Sequence, residues 1–455
     1  MRKYNVLNRL CKITGCALFF IVFCTAAQSA TYYVSPTGND ANDGSLSTPW
    51  KTIQKCANTM VAGDTCITRD GVYQENLVIS RTGTEGRLLS FKSENRHGAV
   101  VVGSVNVRNT AHYVRVQGYK VIIPDGGNSG IISSGDHNEI IENYVTTNST
   151  RLGLNNTALG MDGNYSLAEG NYVEKTCFGY NLNGSNNVFQ NNEATRLKLN
   201  GDCGDVDYMR FFGSNHLIKN NTFHGVDMAE IGGAHVDCFQ TFDNGGAQWA
   251  ISNIVVEGNY CRDAHQGMML EGKIYRQSRN LIVRNNIFSN CGTWCVCLVD
   301  IADARFLNNT CDTSGGIHGI WCRGGNNVAT CEFKNNIIYG EGSLYGVLET
   351  AKLIDGNADS PGKKNLLFRP GQTITGYFGD IVNRDPMFFN REIGDYRPRE
   401  GSPAIDAGMS IAGWVDAKDR DGRPRPQGSG WDIGAYEYGA MNLKPPAGLR
   451  LVEPN

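Results

Sequence analysis

LIKNNTF (Leu217–Phe223) contains the pattern from which the fold is read: an apolar run, a polar corner built on asparagine, and a second apolar run. The phrase recurs as IIENYV around Asn143, EGNYV at Asn171, VFQNNEA at Asn192, VVEGNYC at Asn259, IVRNNIF at Asn286, FLNNTC at Asn309 and FKNNIIY at Asn336. Successive asparagines stand 28, 21, 29, 38, 27, 23 and 27 residues apart. A period of that length, with short strands and polar corners, marks a solenoid in which each repeat is one coil. One coil has no partner for its apolar side, whereas stacked coils bury it continuously. An asparagine at the same corner of every coil can then bond to the coils above and below.

The composition agrees with an all-β chain. There are 55 glycines, many Asn-Gly and Asn-Asn steps, and no long amphipathic helix pattern. Residues 1–30 read as a secretory signal peptide. Arg2, Lys3, Arg9 and Lys12 precede an apolar run from Cys16 to Ala27, and small residues end at Ala30. That run is short for a membrane span and no second one follows, so an exported, soluble protein is expected, secreted or periplasmic. Loss of the leader would change the net charge from −3 to about −7, which disfavours nucleic acid as a partner. Of 15 cysteines, Cys11, Cys16 and Cys24 lie in the leader, leaving twelve for an oxidising compartment. Cys56 with Cys66 and Cys322 with Cys331 are spaced as plausible disulfides, and Cys295-Val296-Cys297 reads as core or disulfide rather than a metal site.

Residues 31–76 read as an N-terminal cap and first strands, in which Trp50 to Ala57 would plug the open end of the stack. Residues 77–340 form the coils that would carry the groove, 341–438 an irregular C-terminal and closing segment, and 439–455 a Pro-rich flexible tail. TYYVSPTGNDANDGSLSTPWKTIQKC followed by GDTCITRDGVYQE resembles the opening of secreted right-handed parallel β-helix proteins of the pectate lyase-like superfamily. Its members include pectate lyase and chondroitinase B types and β-helical glycosidases. SPAIDAG (Ser402–Gly408) and DRDGRPRPQGSGWDIGAYEY (Asp419–Tyr438) resemble the closing segment of bacterial members. The resemblance implies the architecture but no single reaction, because one shell carries lyases, hydrolases, epimerases and adhesins.

The widest gap between corners, from Asn221 to Asn259, implies an enlarged loop, and such loops shape solenoid binding sites. It contains His235-Val236-Asp237-Cys238-Phe239-Gln240. The preceding coil has Asp205-Val206-Asp207-Tyr208-Met209-Arg210, which overlays it with Asp207 one coil below Asp237. His265 is placed above His235 in the next coil, which continues to Glu271 and Lys273. Side chains two apart share a face of a strand, so Asp205, Asp207, His235, Asp237, His265, Glu271 and Lys273 are expected on one outer face. Arg210 and Gln240 have the other parity and join only if the strand bends.

Clustered carboxylates need an offset. One answer is calcium held by Asp205, Asp207 and Asp237, which suits β-elimination on a uronic-acid polysaccharide with Lys273, His235 or His265 as base. The resemblance implies that arrangement by residue type only, since no Arg-His-Gly signature or pectate lyase calcium motif matches. The other answer is a raised carboxyl pKa, which suits glycoside hydrolysis with Asp237 paired to Glu271 or Asp207. Arg210, Gln240, Tyr208, Arg276 and Trp294 are candidate substrate contacts; Tyr208, Phe239, Trp249, Tyr275 and Trp294 form a set of candidate stacking platforms. His216 and His224, beside asparagine corners, read as structural, and so do corner aspartates such as Asp243, Asp263, Asp300 and Asp303. The expected function is a monomeric, polysaccharide-degrading enzyme without an organic cofactor, lyase before hydrolase. A uronan C5-epimerase and a non-catalytic adhesin are the alternatives.

Overall fold

A computed structural model describes residues 29–151, 156–199, 203–242, 250–272, 278–313, 318–324, 329–340, 343–348, 352–353, 364–376, 379–411 and 413–439. The chain is a right-handed parallel β-helix. One parallel sheet runs from Thr31–Val34 through Thr65–Thr68, Leu89–Ser93, Val114–Gln117 and onward to Thr330–Lys334 and Lys352–Leu353. The other strands form two further stacks, joined where Tyr260–Glu271 and Ile287–Val299 run across both.

The asparagine corners explain why the coils stack. Asn191, Asn220, Asn285, Asn308 and Asn335 turn the chain in the left-handed region, at φ between 55° and 57°. Asparagine tolerates that conformation and most residues do not. The next asparagine points inward. Asn221 donates its backbone N–H and its Nδ2 to Asn259 Oδ1, both at 2.9 Å. Asn259 does the same to Asn286, and Asn286 to Asn309. Each Nδ2 also donates to a carbonyl of its own or an adjacent coil, as Asn259 does to Ile218 at 3.0 Å. The ladder runs from Asn143 to Asn365 and ends on Asp380 Oδ1. A neighbouring buried file contains Asn138, Ser166, Asn187 and His216. His216 accepts the Asn187 N–H on Nδ1 and lies 2.9 Å by Nε2 from the Phe212 carbonyl, and burial pushes its pKa down to about 4. It is structural, as its place beside a corner suggests.

The N-terminal plug is a short helix, Ile53–Thr59, that buries Ile53, Cys56 and Ala57. Thr52 caps it by accepting the Lys55 N–H, and the Glu75 carboxylate takes the next two N–H groups, from Ile53 and Gln54. Cys56–Cys66 ties the plug to the first coil. Further disulfides join Cys177–Cys203, Cys238–Cys261, Cys295–Cys311 and Cys322–Cys331, bonds that persist in oxidising compartments. Among the described residues no helix is long and apolar enough to cross a membrane.

The closing segment folds back along the asparagine corner. Asn285 Nδ2 donates to the Lys418 carbonyl, Asn308 Nδ2 to Asp432, and Asn335 Nδ2 to Met409. Arg425 anchors it: fully buried, it donates to Glu437 Oε1 at 2.6 Å and to Asn285 Oδ1 at 2.9 Å. Residues 1–28 and 440–455, where a leader and a tail are expected, lie outside the described residues.

Candidate active site

The stack expected to carry the groove consists of Thr157–Met161, Phe178–Leu182, Val206–Phe211, Val236–Thr241, the second half of Tyr260–Glu271, the second half of Ile287–Val299, and His318–Arg323. Register sets two files of side chains along the helix axis. One is Phe178, Asp207, Asp237, Gln266, Trp294 and His318; the other is Asn181, Arg210, Gln240, Met269, Cys297 and Trp321. Parallel strands lie about 4.8 Å apart, so each file presents one side chain per coil step.

Asp207 and Asp237 stand on adjacent coils as the overlay of the two segments predicts. Both are buried. Arg210 donates Nε to Asp207 Oδ2 at 2.7 Å and lies 3.4 Å from Asp205 Oδ2 through Nη2. Its guanidinium sits over Phe178, 3.9 Å from the ring centroid, with Phe242 on the next coil at 5.4 Å. Gln240 Nε2 donates to Asp237 Oδ2 at 3.1 Å. Strict alternation kept Arg210 and Gln240 off this face, yet each meets the aspartate three residues before it. The register between these two strands is the same at Asp207–Asp237 and at Arg210–Gln240.

Burial raises the pKa of both carboxyls. Asp207 is pushed up to about 7, with Arg210 holding it down and Asp205 pushing further up. Asp237 is raised well above the carboxylate range, first by desolvation and then by the charges of Asp207 and Asp205. The two differ in partners. Asp207 has a guanidinium on Oδ2 and the Asp237 N–H on Oδ1. Asp237 has only an amide on Oδ2, and its Oδ1 is buried without a partner among the described residues. Within the pair, Asp207 therefore has more partners that stabilise a charge, and Asp237 holds a proton more strongly than Asp207 does. Asn181 Oδ1, Gln240 Oε1 and Gln266 Oε1 are likewise buried acceptors without a partner among the described residues.

The remaining expected residues divide. His265 does not stack on His235: Asp237 pairs with Gln266, so the coil is displaced by one residue from the expected overlay. The rings still approach, with centroids 6.0 Å apart. His265 Nδ1 accepts the Val236 N–H at 3.1 Å, which leaves Nε2 protonated in the neutral ring, and burial lowers its pKa. As placed it offers the groove a donor rather than a base, contrary to the expected role. His235 is exposed. Glu271 lies five positions beyond Gln266 on the same strand, roughly 16 Å further along. It is too distant to pair with Asp237 as expected.

Tyr208 is not a sugar platform. It is fully buried, stacked on Phe223, and its hydroxyl accepts the Val226 N–H. Phe239 is also core. Trp294 is half-buried in the groove file and stacks on His318 with centroids 3.9 Å apart. Lys273, Tyr275, Arg276, Asp243 and Trp249 lie outside the described residues. Phe178 and Asn181 were missed because their coil is the shortest, with 21 residues between Asn171 and Asn192. Extending the overlay of Asp207 and Arg210 one coil down would have found them.

Asp205, Asp207 and Asp237 supply oxygen donors of the type calcium takes. Arg210 already occupies the space between Asp205 and Asp207, so a divalent ion there would have to share or displace it. Among the described residues no cluster of three or more His, Cys, Asp or Glu side chains is arranged to hold a metal.

The fold is similar to that of pectate lyase Pel9A, at 16% identity over 91% of this chain and 97% of that one, TM-score 0.50. It is similar to XylC in its complex with xylose, at 12% identity over 90% and 99%, TM-score 0.50. A mannuronic acid specific polysaccharide family 6 lyase from human gut microbiota matches at 11% identity over 79% and 92%, TM-score 0.52. These likenesses establish the fold. In sequence, an uncharacterised protein YwoF of Bacillus subtilis (strain 168) is 32% identical over 107 residues. That match spans 23% of this chain and 23% of the relative. No protein-family model matches the chain.

Proposed function

We propose that this protein is an exported enzyme that hydrolyses glycosidic bonds of a polysaccharide laid along the groove, with Asp237 as proton donor and Asp207 as the paired carboxylate. The observation that carries the reading is the unequal pair: Asp207, bonded by Arg210 and by the Asp237 N–H, stands beside Asp237, whose Oδ1 has no partner among the described residues. Carboxyls whose environments push their protons apart are what acid-assisted glycoside cleavage requires.

In this reading Asp237 gives its proton to the glycosidic oxygen while Asp207 attacks the anomeric carbon. The carbon–oxygen bond to the leaving sugar breaks and a glycosyl ester forms on Asp207. Asp237, now ionised, takes a proton from the water that hydrolyses the ester. Consecutive coils separate the two residues by about 4.8 Å, close to the 5–5.5 Å of retaining enzymes, so retention is expected. Trp294 with His318 supplies an aromatic surface two to three coils from Asp237.

β-Elimination is the second reading, carried by Lys273 and a calcium on Asp205, Asp207 and Asp237. One experiment decides between them. The purified protein is incubated with neutral and acidic polysaccharides, with calcium and with chelator, following reducing ends and the ultraviolet absorbance of unsaturated uronides. Reducing ends without absorbance support hydrolysis. Absorbance that vanishes with chelator would overturn it in favour of elimination, and activity on none of the polysaccharides would remove the enzymatic reading.

A further inference from the structure

One corner of the early coils carries bulky rings where the later coils carry asparagine. Tyr113, His137 and Tyr165 hold equivalent positions on three successive coils, each in the left-handed region, at φ of 54°, 57° and 54°. On the following coils the same corner is Asn186, Asn215, Asn253 and Asn280, at φ of 61°, 58°, 56° and 55°. The backbone there is the same, so the fold makes no demand for a ring. Tyrosine is disfavoured in this conformation, whereas asparagine is tolerated. Strain held where a cheaper residue serves elsewhere points to a role beyond stability.

The rings are arranged for contact. Tyr113 stacks on His137 with centroids 4.6 Å apart and planes 1° from parallel, and His137 stacks on Tyr165 at 5.1 Å and 10°. The stack ends at Tyr165, where the next coil offers Asn186, and Tyr165 is 59% exposed. Beside the rings is a hollow of about 380 Å³, bounded also by Gly86, Leu88 and Glu139. Glu139 accepts from Arg115 Nε at 2.6 Å, so the hollow has a charged polar edge against an aromatic side. An apolar face flanked by fixed hydrogen-bonding groups matches a pyranose, whose C–H face stacks while its hydroxyls bond at the rim. The corner precedes the strands of the long continuous sheet and does not belong to the groove stack.

We infer that Tyr113, His137 and Tyr165 form a second, non-catalytic glycan-binding site that holds a hydroxyl-rich polysaccharide chain outside the groove. The inference is independent of the hydrolytic reading, because binding is read without turnover. The test uses affinity electrophoresis of the full chain through gels containing xylan, hydroxyethylcellulose, pectate or alginate. The variant is the triple Tyr113→Asn, His137→Asn, Tyr165→Asn, which installs the residue that this corner carries elsewhere. Wild-type retention by at least one polysaccharide is expected, weakened about tenfold in the variant, the scale of lost ring contacts. Melting temperature should not fall, and cleavage of a short oligosaccharide should be unchanged. Equal retention of variant and wild type, or no wild-type retention in any gel, would overturn the inference. So would loss of retention that coincides with dissociation of a dimer seen by light scattering. Should the triple variant fail to fold, Tyr165→Asn alone carries the same comparison.

Discussion

Asp207 and Asp237 occupy one register position on consecutive coils, and the backbone N–H of Asp237 donates to Asp207 Oδ1 at 3.2 Å. The bond ties the two carboxyls together through the backbone of one of them, and it stabilises a negative charge on Asp207. Arg210 reinforces that choice, and Asp237 is left to hold the proton.

Replacing Asp237 by asparagine keeps the shape and removes the proton. Initial rates of reducing-end release should fall by about 10²–10⁴-fold, the scale of a lost general acid. Asp207→Asn should fall at least as far, and nuclear magnetic resonance of the first product should show retained anomeric configuration in the wild type.

The same pair predicts how stability depends on pH. Folded-state pKa values above the unfolded ones mean that the native protein keeps protons the unfolded chain has lost. The contribution is fully present below the unfolded value near 3.8 and is lost as pH rises through the raised folded-state values, about 7 for Asp207. Melting temperature should therefore decline over that window in the wild type. Asp237→Asn should flatten the decline, and at alkaline pH the variant should melt no lower than the wild type.

The Asn259 side chain closes four hydrogen bonds: its Oδ1 accepts two from Asn221 and its Nδ2 donates to the Ile218 carbonyl and to Asn286 Oδ1. Asn259→Ala leaves buried partners unsatisfied, and a loss of about 3 kcal/mol is expected in urea unfolding. A surface asparagine such as Asn253 should cost far less.

Arg425 and Glu437 form a buried ion pair that holds the closing segment against Asn285. Glu437→Gln or Arg425→Met should each cost about 3–5 kcal/mol, because one charge is left buried. The double variant should recover much of that loss, a coupling that a double-mutant cycle measures directly.

Trp294→Ala should raise KM with a smaller effect on kcat, since the ring lies two coil steps from Asp237. A five- to tenfold change is about the worth of one lost stacking contact. Steady-state kinetics on the active polysaccharide checks it, with Tyr208→Phe as a core control that should affect stability rather than KM.

The sequence by itself determined the coil, because the ladder asparagines from Asn143 to Asn336 are a local, periodic signal and each does the same job. It also placed Asp207 beneath Asp237, because two neighbouring coils carry alike segments and parallel stacking puts like over like. What alternation could not give was the company these residues keep. Arg210 and Gln240 reach the aspartates three residues before them against strict alternation, and His265 falls one position off the expected overlay because Asp237 pairs with Gln266, 29 residues on rather than 30. Tyr208 looks like a platform in sequence and is core in the fold, since it follows Asp207 on the strand and points to the opposite face. Period and residue type are carried by the chain locally; facing, burial and charge partnership arise only when coils with different loop lengths stack, and those decided which carboxyl holds the proton.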